Sequence, residues 1–294
     1  MKYEILPCSD DDSDLIDEKS DQIVRDHADI DEDTEEETFV YQATDQDGNL
    51  LGGCVLVTDE LRTAHIYCLW VDEAHRRQGI ATALFREAER KAADQGCYLS
   101  LIGTFDFQAK PFYDRLGYSL IVTTHDYPKG HEHYFMYKRL DRGIEEAVPS
   151  GYFPYVISVA KEEDAEELGE ELAGRLREHD VACVPREHPY INISKKVTDE
   201  NGNIIAGIVG GVDGWNGSEI ESIWVDEAYR GQGIGSALVR AFEKDVKEHG
   251  VRRMIVEPYD WILEFFRKNG YETVTGVLED LPKGHTMYCM DKPL

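Results

Sequence analysis

Leu69–Leu84, LWVDEAHRRQGIATAL, recurs as Ile223–Leu238, IWVDEAYRGQGIGSAL, identical at eleven of sixteen positions and offset by 223 − 69 = 154 residues. Whatever the first copy builds, the second must build again, so a duplication of this kind limits the fold more than composition does. In each copy an apolar run enters a glycine-bearing turn and then a helical pattern, the order strand, turn, helix start. The first N–H groups of a helix lack partners and carry the positive end of its macrodipole, so such a turn offers an anion site. Gly79, Gly233 and Gly235 leave the backbone bare for close approach, Ala81 stands where the second copy has Gly235, and Thr82 and Ser236 each add a hydroxyl. There is no GK[ST] ending and no GxGxxG, which excludes nucleotide hydrolysis and dinucleotide binding of the usual kinds.

The repetition extends along the chain. Asp45-Gln46-Asp47-Gly48-Asn49 and Glu200-Asn201-Gly202-Asn203 are hairpin turns between apolar strands, and Pro128-Lys129-Gly130-His131 returns as Pro282-Lys283-Gly284-His285. Periodicity predicts a strand over Lys2–Cys8 and a helix over Asp14–His27 with Ser13 as N-cap. Strands over Phe39–Thr44, Leu50–Thr58 and His65–Val71 and a helix over Ile80–Gln95 follow. The second copy repeats the order with a strand over Tyr155–Ala160, a helix over Glu162–His179, strands over Ile191–Thr198, Ile204–Val212 and Glu219–Val225, and a helix over Ile234–His249. Asp141–Pro154 holds two glycines and two prolines without periodicity. The expected organisation is a first domain over 1–140, a linker over 141–154 and a second domain over 155–294.

The balance of 59 acidic against 31 basic residues, a formal net charge of −28, excludes nucleic acid and anionic membranes as main partners, since both require clustered positive charge. Asp10–Glu37 alone carries fifteen acidic and two basic residues. That segment reads as a solvated face, with attraction of a cationic substrate as the functional alternative. Six cysteines without CxxC spacing, and no apolar run long enough for a membrane span or signal core, point to a cytoplasmic protein.

The pattern Arg76-x-x-Gly79-x-Ala81 and Arg230-x-x-Gly233-x-Gly235 after an apolar strand resembles the acyl-CoA pyrophosphate loop of the GNAT superfamily of N-acetyltransferases. FYDRLGY at Phe112–Tyr118 and FFRKNGY at Phe265–Tyr271 resemble that family's helix after its splayed strand. The resemblance covers nearly the whole chain. It implies an α/β (α+β) architecture of two tandem GNAT domains, each a mixed, largely antiparallel sheet flanked by helices, with acetyl-CoA as cofactor. In the first domain the cofactor-binding positions it implies are Leu69, Trp70, Val71, Arg76, Arg77, Gln78, Gly79, Ile80, Ala81 and Thr82. In the second they are Ile223, Trp224, Val225, Arg230, Gly231, Gln232, Gly233, Ile234, Gly235 and Ser236.

Amide formation from a thioester requires a neutral amine, an acceptor for its proton, stabilisation of an oxyanion and a proton for the departing thiolate. For the last, the family commonly uses a tyrosine at the position of Tyr113; the second repeat has Phe266, which has no proton to donate. Strand alternation places His65 with Tyr67 on one face and Glu219 with Glu221 on the equivalent face, making His65, Glu219 and Glu221 candidate bases. His125, His131 and His133 lack a ligand framework, so no metal is expected. The function expected is transfer of an acetyl group to a primary amine of a small molecule or peptide, cationic on the charge argument, by direct attack in a ternary complex in the first domain. A non-enzymatic acyl-CoA sensor or interaction scaffold is the competing class, and a homodimer is compatible with either.

Overall fold

The computed structural model describes residues 3–28, 30, 34–143 and 153–294. Lys2 of the first predicted strand and residues 144–152 of the predicted linker lie outside them. The elements alternate much as the periodicity predicts. The first repeat contains β1 (Ile5–Pro7), α1 (Asp10–His27), β2 (Glu37–Thr44), β3 (Leu50–Thr58), β4 (Thr63–Val71), α2 (Ile80–Asp94), β5 (Leu99–Phe105), α3 (Lys110–Arg115), β6 (Ser119–His125) and β7 (Glu132–Arg139). The second contains β8 (Val156–Val159), α4 (Glu162–Cys183), β9 (Ile191–Asn192), β10 (Lys195–Thr198), β11 (Ile204–Val212), β12 (Ser218–Val225), α5 (Ile234–Glu248), β13 (Arg253–Val256), α6 (Leu263–Lys268), β14 (Thr273–Glu279) and β15 (Thr286–Pro293). The single strand expected over Ile191–Thr198 is two, because β9 and β10 pair with different stretches of β11 and leave Ile193 and Ser194 between them.

These elements gather into two compact units that interleave the repeats. One unit takes Ile30–Thr124 and His131–Pro185; the other takes β1, α1, His125–Gly130 and Arg186–Leu294. Each unit therefore takes segments from both sides of residues 141–154.

The first of these units is a seven-stranded sheet in the order β6-β7-β5-β4-β3-β2-β8. Its outer strand β8 comes from the second repeat, with Val159 opposite Tyr41 and Val156 opposite Thr44. Helix α4 follows it onto the sheet, where Leu172 is wholly buried with Val40 and Cys68. Gly53 makes room for it, since a Cβ there would stand 2.3 Å from Leu172 Cδ1 and 2.8 Å from the Tyr41 carbonyl oxygen. The opposite face carries α2, whose Ile80, Leu84, Phe85, Ala88 and Ala92 join the main core. β4 and β5 pair in parallel over Thr63–His65 against Leu99–Leu101, and their pairing ends there.

The other unit mirrors this arrangement. A sheet in the order β1-β10-β11-β12, with β9 also on β11, takes its outer strand from the first repeat, Ile5 standing opposite Val197. A three-stranded sheet, β13-β15-β14, is separate from it. Helix α1 places Ile16 over Gly207, where a Cβ would lie 2.1 Å from Ile16 Cδ1. Its N-cap is Ser9, not Ser13. Asp12, three residues on, accepts from the Ser9 backbone N–H at 2.7 Å while Ser9 Oγ caps the Asp12 N–H, a reciprocal box, and this leaves Ser13 buried against the helix. Asp12 also receives Lys196 Nζ of β10 at 2.6 Å. The Lys196 ammonium, followed by the Ser9 donors, depresses the Asp12 carboxyl to about 2.

Two stability predictions follow from these packing sites. Leu172→Ala removes the side chain that seats α4 and is expected to cost about 2–5 kcal/mol in denaturant unfolding, because the wholly buried site leaves a cavity. For Asp12 the folded pKa lies below the unfolded value of 3.8, so its contribution is complete above about pH 4 and is lost as pH falls through about 2. Asp12→Asn should lower the melting temperature at neutral pH and flatten its decline between pH 4 and pH 2.

Candidate functional site

The divergence of β4 from β5 leaves the Ile66–Val71 edge of β4 unpaired on that side. A bulge reinforces it: Val55 faces Cys68 and Leu56 faces Ile66, so Tyr67 is the extra residue and its side chain stands 67% exposed. Beyond Val71 the chain makes a 3-10 turn, Glu73–His75, capped by Asp72, whose carboxylate accepts from the Ala74 N–H at 3.0 Å and holds His75 Nδ1 at 2.9 Å. Arg76 folds back, its Nε donating to the Val71 carbonyl at 3.1 Å. Arg77 and Gly79 then turn with φ of 63° and 88°, and Gly79 is the N-cap of α2 with no side chain satisfying the first N–H groups. A left-handed glycine supplying the turn and an uncapped helix start beyond it make a bare anion cradle.

Strand edge and cradle open into one cavity of about 640 Å³. Leu69, Trp70 and Val71 form one wall, and the loop from His75 through Thr82 forms its end. Phe107, Gln108, Ala109, Phe112 and Arg115, from the turn after β5 and from α3, face them. Leu176 and His179 of α4 also line it, so this cleft is completed by the helix of the second repeat. All the cofactor positions expected in the first repeat except Gln78 line this cavity; Gln78 instead bonds Ala74 O and the Tyr155 hydroxyl. Phe107, Gln108, Leu176 and His179 were not singled out by the sequence. Only the divergence of β5 and the exchange of α4 bring them together.

The expected catalytic residues have distinct surroundings. Tyr113 is buried in the core against Phe85, Phe112 and Tyr118, and burial raises its pKa above that of a free phenol. Its neighbour Phe112 lines the cleft; Tyr113 itself does not and stands behind it. His65 lies at the closed end of the splay, where Leu101 pairs with it, and does not line the cavity. Its Nε2 meets Asp59 Oδ2 at 3.1 Å and Thr63 Oγ1 at 3.0 Å, and its ring stacks on Tyr67. These bonds tie the turn before β4 to the strand. His131 is similarly tied to Asp106, directly after β5, at 2.9 Å, and His285 to Asp260, four residues beyond β13, at 3.0 Å, so the histidine of the repeated turn has an aspartate partner at the same offset in both repeats.

The second loop copies the first. Asp226 caps the Glu227–Tyr229 turn, Arg230 Nε returns to the Val225 carbonyl at 2.9 Å, and Gly233, with φ of 82°, starts α5 without a side-chain cap. Around it the chemistry departs. Phe266 occupies the buried place of Tyr113, and Phe265 packs against Gly235, 3.1 Å from where a Cβ would stand. Glu221, the bulged residue opposite β11, accepts from the Tyr190 hydroxyl at 2.7 Å. Glu219 keeps an open face, yet partial desolvation, then the neighbouring Glu221 and Asp213 carboxylates, raises its pKa.

The model of the acetyltransferase (GNAT) family matches the chain twice, over residues 5–118 and 150–271. The blasticidin-S acetyltransferase of Streptomyces morookaense is 36% identical over 105 residues, 35% of this chain and 76% of that protein. An acetyltransferase of Pectobacterium atrosepticum is 31% identical over 102 residues, 31% of this chain and 72% of that protein. A crystal structure of an acetyltransferase from Bacillus cereus is 30% identical and covers 47% of this chain and 97% of that one, with a TM-score of 0.43.

Proposed function

The chain belongs to the acetyltransferase (GNAT) family as a tandem member, and from that premise we propose that its first cleft transfers an acetyl group from acetyl-CoA to a primary amine. One observation carries the proposal: the unpaired β4 edge and the bare N-terminus of α2 open into the same cavity. Acetyl-CoA supplies the activated acyl group. Gly79 with the first turn of α2 fits its pyrophosphate, the free N–H groups and positive helix end meeting the anion without a Cβ between them. The Leu69–Val71 edge offers backbone groups to the pantetheine arm, and the Val71 N–H is assigned to the thioester oxygen.

Tyr113 is assigned to the thiolate. Its position next to cleft-lining Phe112 supports that assignment, and burial keeps the phenol protonated. The absence of a phenol at Phe266 assigns acetyl transfer to the first cleft, and the second loop to CoA binding without comparable turnover. His65 is better read as a tie for the turn before β4, because its bonds to Asp59 and Thr63 occupy it away from the cavity. Glu219 and Glu221 belong with the second loop and share its demotion. An acceptor carrying positive charge is favoured by the net charge of −28, and the name of the Streptomyces relative makes blasticidin S the first acceptor to assay, followed by polyamines, aminoglycosides and lysine peptides.

Release of free thiol from acetyl-CoA in the presence of one of these amines is the expected result; CoA binding with no turnover across the panel would contradict the assignment. Tyr113→Phe is expected to lower turnover about a hundredfold while CoA affinity stays within about twofold, and equal turnover would remove Tyr113 from the reaction. Gly79→Val forces a β-branched residue into a left-handed turn at φ 88° and should abolish one CoA site, with Gly233→Val abolishing the other. Calorimetric stoichiometry on each variant counts the sites.

A further inference from the structure

The acetyl-transfer reading leaves the amine's proton without an acceptor once His65 is tied elsewhere. Two histidines line the cleft. His75 belongs to the loop end, where its Nδ1 is bound to the same Asp72 carboxylate that caps the 3-10 turn. His179 stands on α4 and lines the cleft with Leu176; α4 packs on β4, where its Arg175 guanidinium lies 4.7 Å over the Trp70 ring.

His179 is part of a built arrangement. Its Nδ1 lies 3.4 Å from Asp180 Oδ1, and that oxygen also accepts from Gln108 Nε2 at 2.9 Å. Gln108 in turn is fixed by its Oε1, which accepts from the Phe105 N–H at 2.9 Å and from Thr104 Oγ1 at 3.2 Å, both at the end of the splayed strand β5. Asp180 is 8% exposed. A buried carboxylate fixed to the strand thus faces one ring nitrogen of a histidine that is itself one-third exposed, 33% by side-chain area, at the cleft. A proton on Nδ1 facing Asp180 leaves Nε2 as the free acceptor.

The other repeat shows what the arrangement is not needed for. Leu172 over Gly53 and Ile16 over Gly207 mark equivalent points of the exchanged helices, because the two glycines occupy the same strand position in the two repeats. Aligned on those residues, His179 corresponds to Ile23 and Asp180 to Val24. At those two positions the helix of the other unit, which has Phe266 in place of the tyrosine, carries no proton-transferring side chain; its nearest histidine, His27, lies four residues on and stacks on Trp261.

We propose that His179, supplied by the helix of the second repeat, is the general base of the first cleft. The amine nitrogen attacks the thioester carbonyl, the N–C bond forms as the C–S bond breaks, the amine's proton passes to His179 Nε2, and the departing thiolate takes a proton from Tyr113. Asp180 and Gln108 are positioning residues that fix the ring. The proposal rests on the acetyl-transfer reading.

The test uses the full-length protein and the acceptor that gives the fastest thiol release. His179→Gln is expected to lower turnover about a hundredfold with acetyl-CoA affinity unchanged by calorimetry, and His179→Ala to regain activity when imidazole is added. Independently of turnover, diethyl pyrocarbonate is expected to modify His179 in the wild type, mapped by mass spectrometry, and acetyl-CoA to slow that modification. Wild-type turnover that persists in His179→Gln, or that falls only in His75→Gln, overturns the assignment of the base while leaving acetyl transfer intact. No turnover by the wild type with any acceptor overturns both.

Discussion

Parallel strands stay together only while their backbone groups can pair, and β4 and β5 pair for three residues before separating. The separation exposes a row of N–H and C=O groups inside the unit, where they are costly unless something else satisfies them. An extended arm with amide groups of its own is such a partner, and the loop at the end of β4 presents an uncapped helix start to whatever anion that arm carries. The cleft opens along that divergence, and Gly79 and the return of Arg76 to Val71 shape the loop at its end. The bulge at Tyr67 adds to it by twisting the strand away from its neighbour.

The second constraint is the exchange. Each stretch matched by the family model begins with a strand and helix, and in each case that pair packs on the sheet of the other repeat. A chain that evolved two independent copies would be free to lose one; here the unit that keeps Tyr113 is walled by α4, from beyond residue 155, and would lose Leu176 and His179 with it. The divergence of the second loop's surroundings, Phe266 for the tyrosine and Phe265 against Gly235, is then compatible with retention of the whole second repeat.

Most of this was legible in the sequence because it is local. The loop residues, the strand before them and the inward face of α2 are fixed by glycine placement and by periods of two and 3.6 residues, and they appear in the structure where those patterns put them. The exchange was not legible, for a physical reason. Gly53 and Gly207 leave equivalent gaps, and both α1 and α4 carry a large aliphatic residue able to fill either, so periodicity identifies two helices without saying which sheet receives which. The cap at Ser9 was missed because two serines four residues apart both precede the apolar stripe, and only the reciprocal bond with Asp12 decides between them. His65 was singled out for its residue type, whereas its bonds to Asp59 and Thr63 depend on a turn whose geometry no single-residue argument supplies. His179 was read only as a helix end, since α4 runs on to Cys183 and its register against the cleft is set by Leu172.

The most direct measurement is a crystal structure of the full chain with acetyl-CoA. The account predicts the pyrophosphate at the backbone amides that begin α2, the pantetheine arm along Leu69–Val71, and the thioester facing His179 on a helix packed over Gly53. Donor bound away from that loop, or α4 packed on the other sheet, would contradict it.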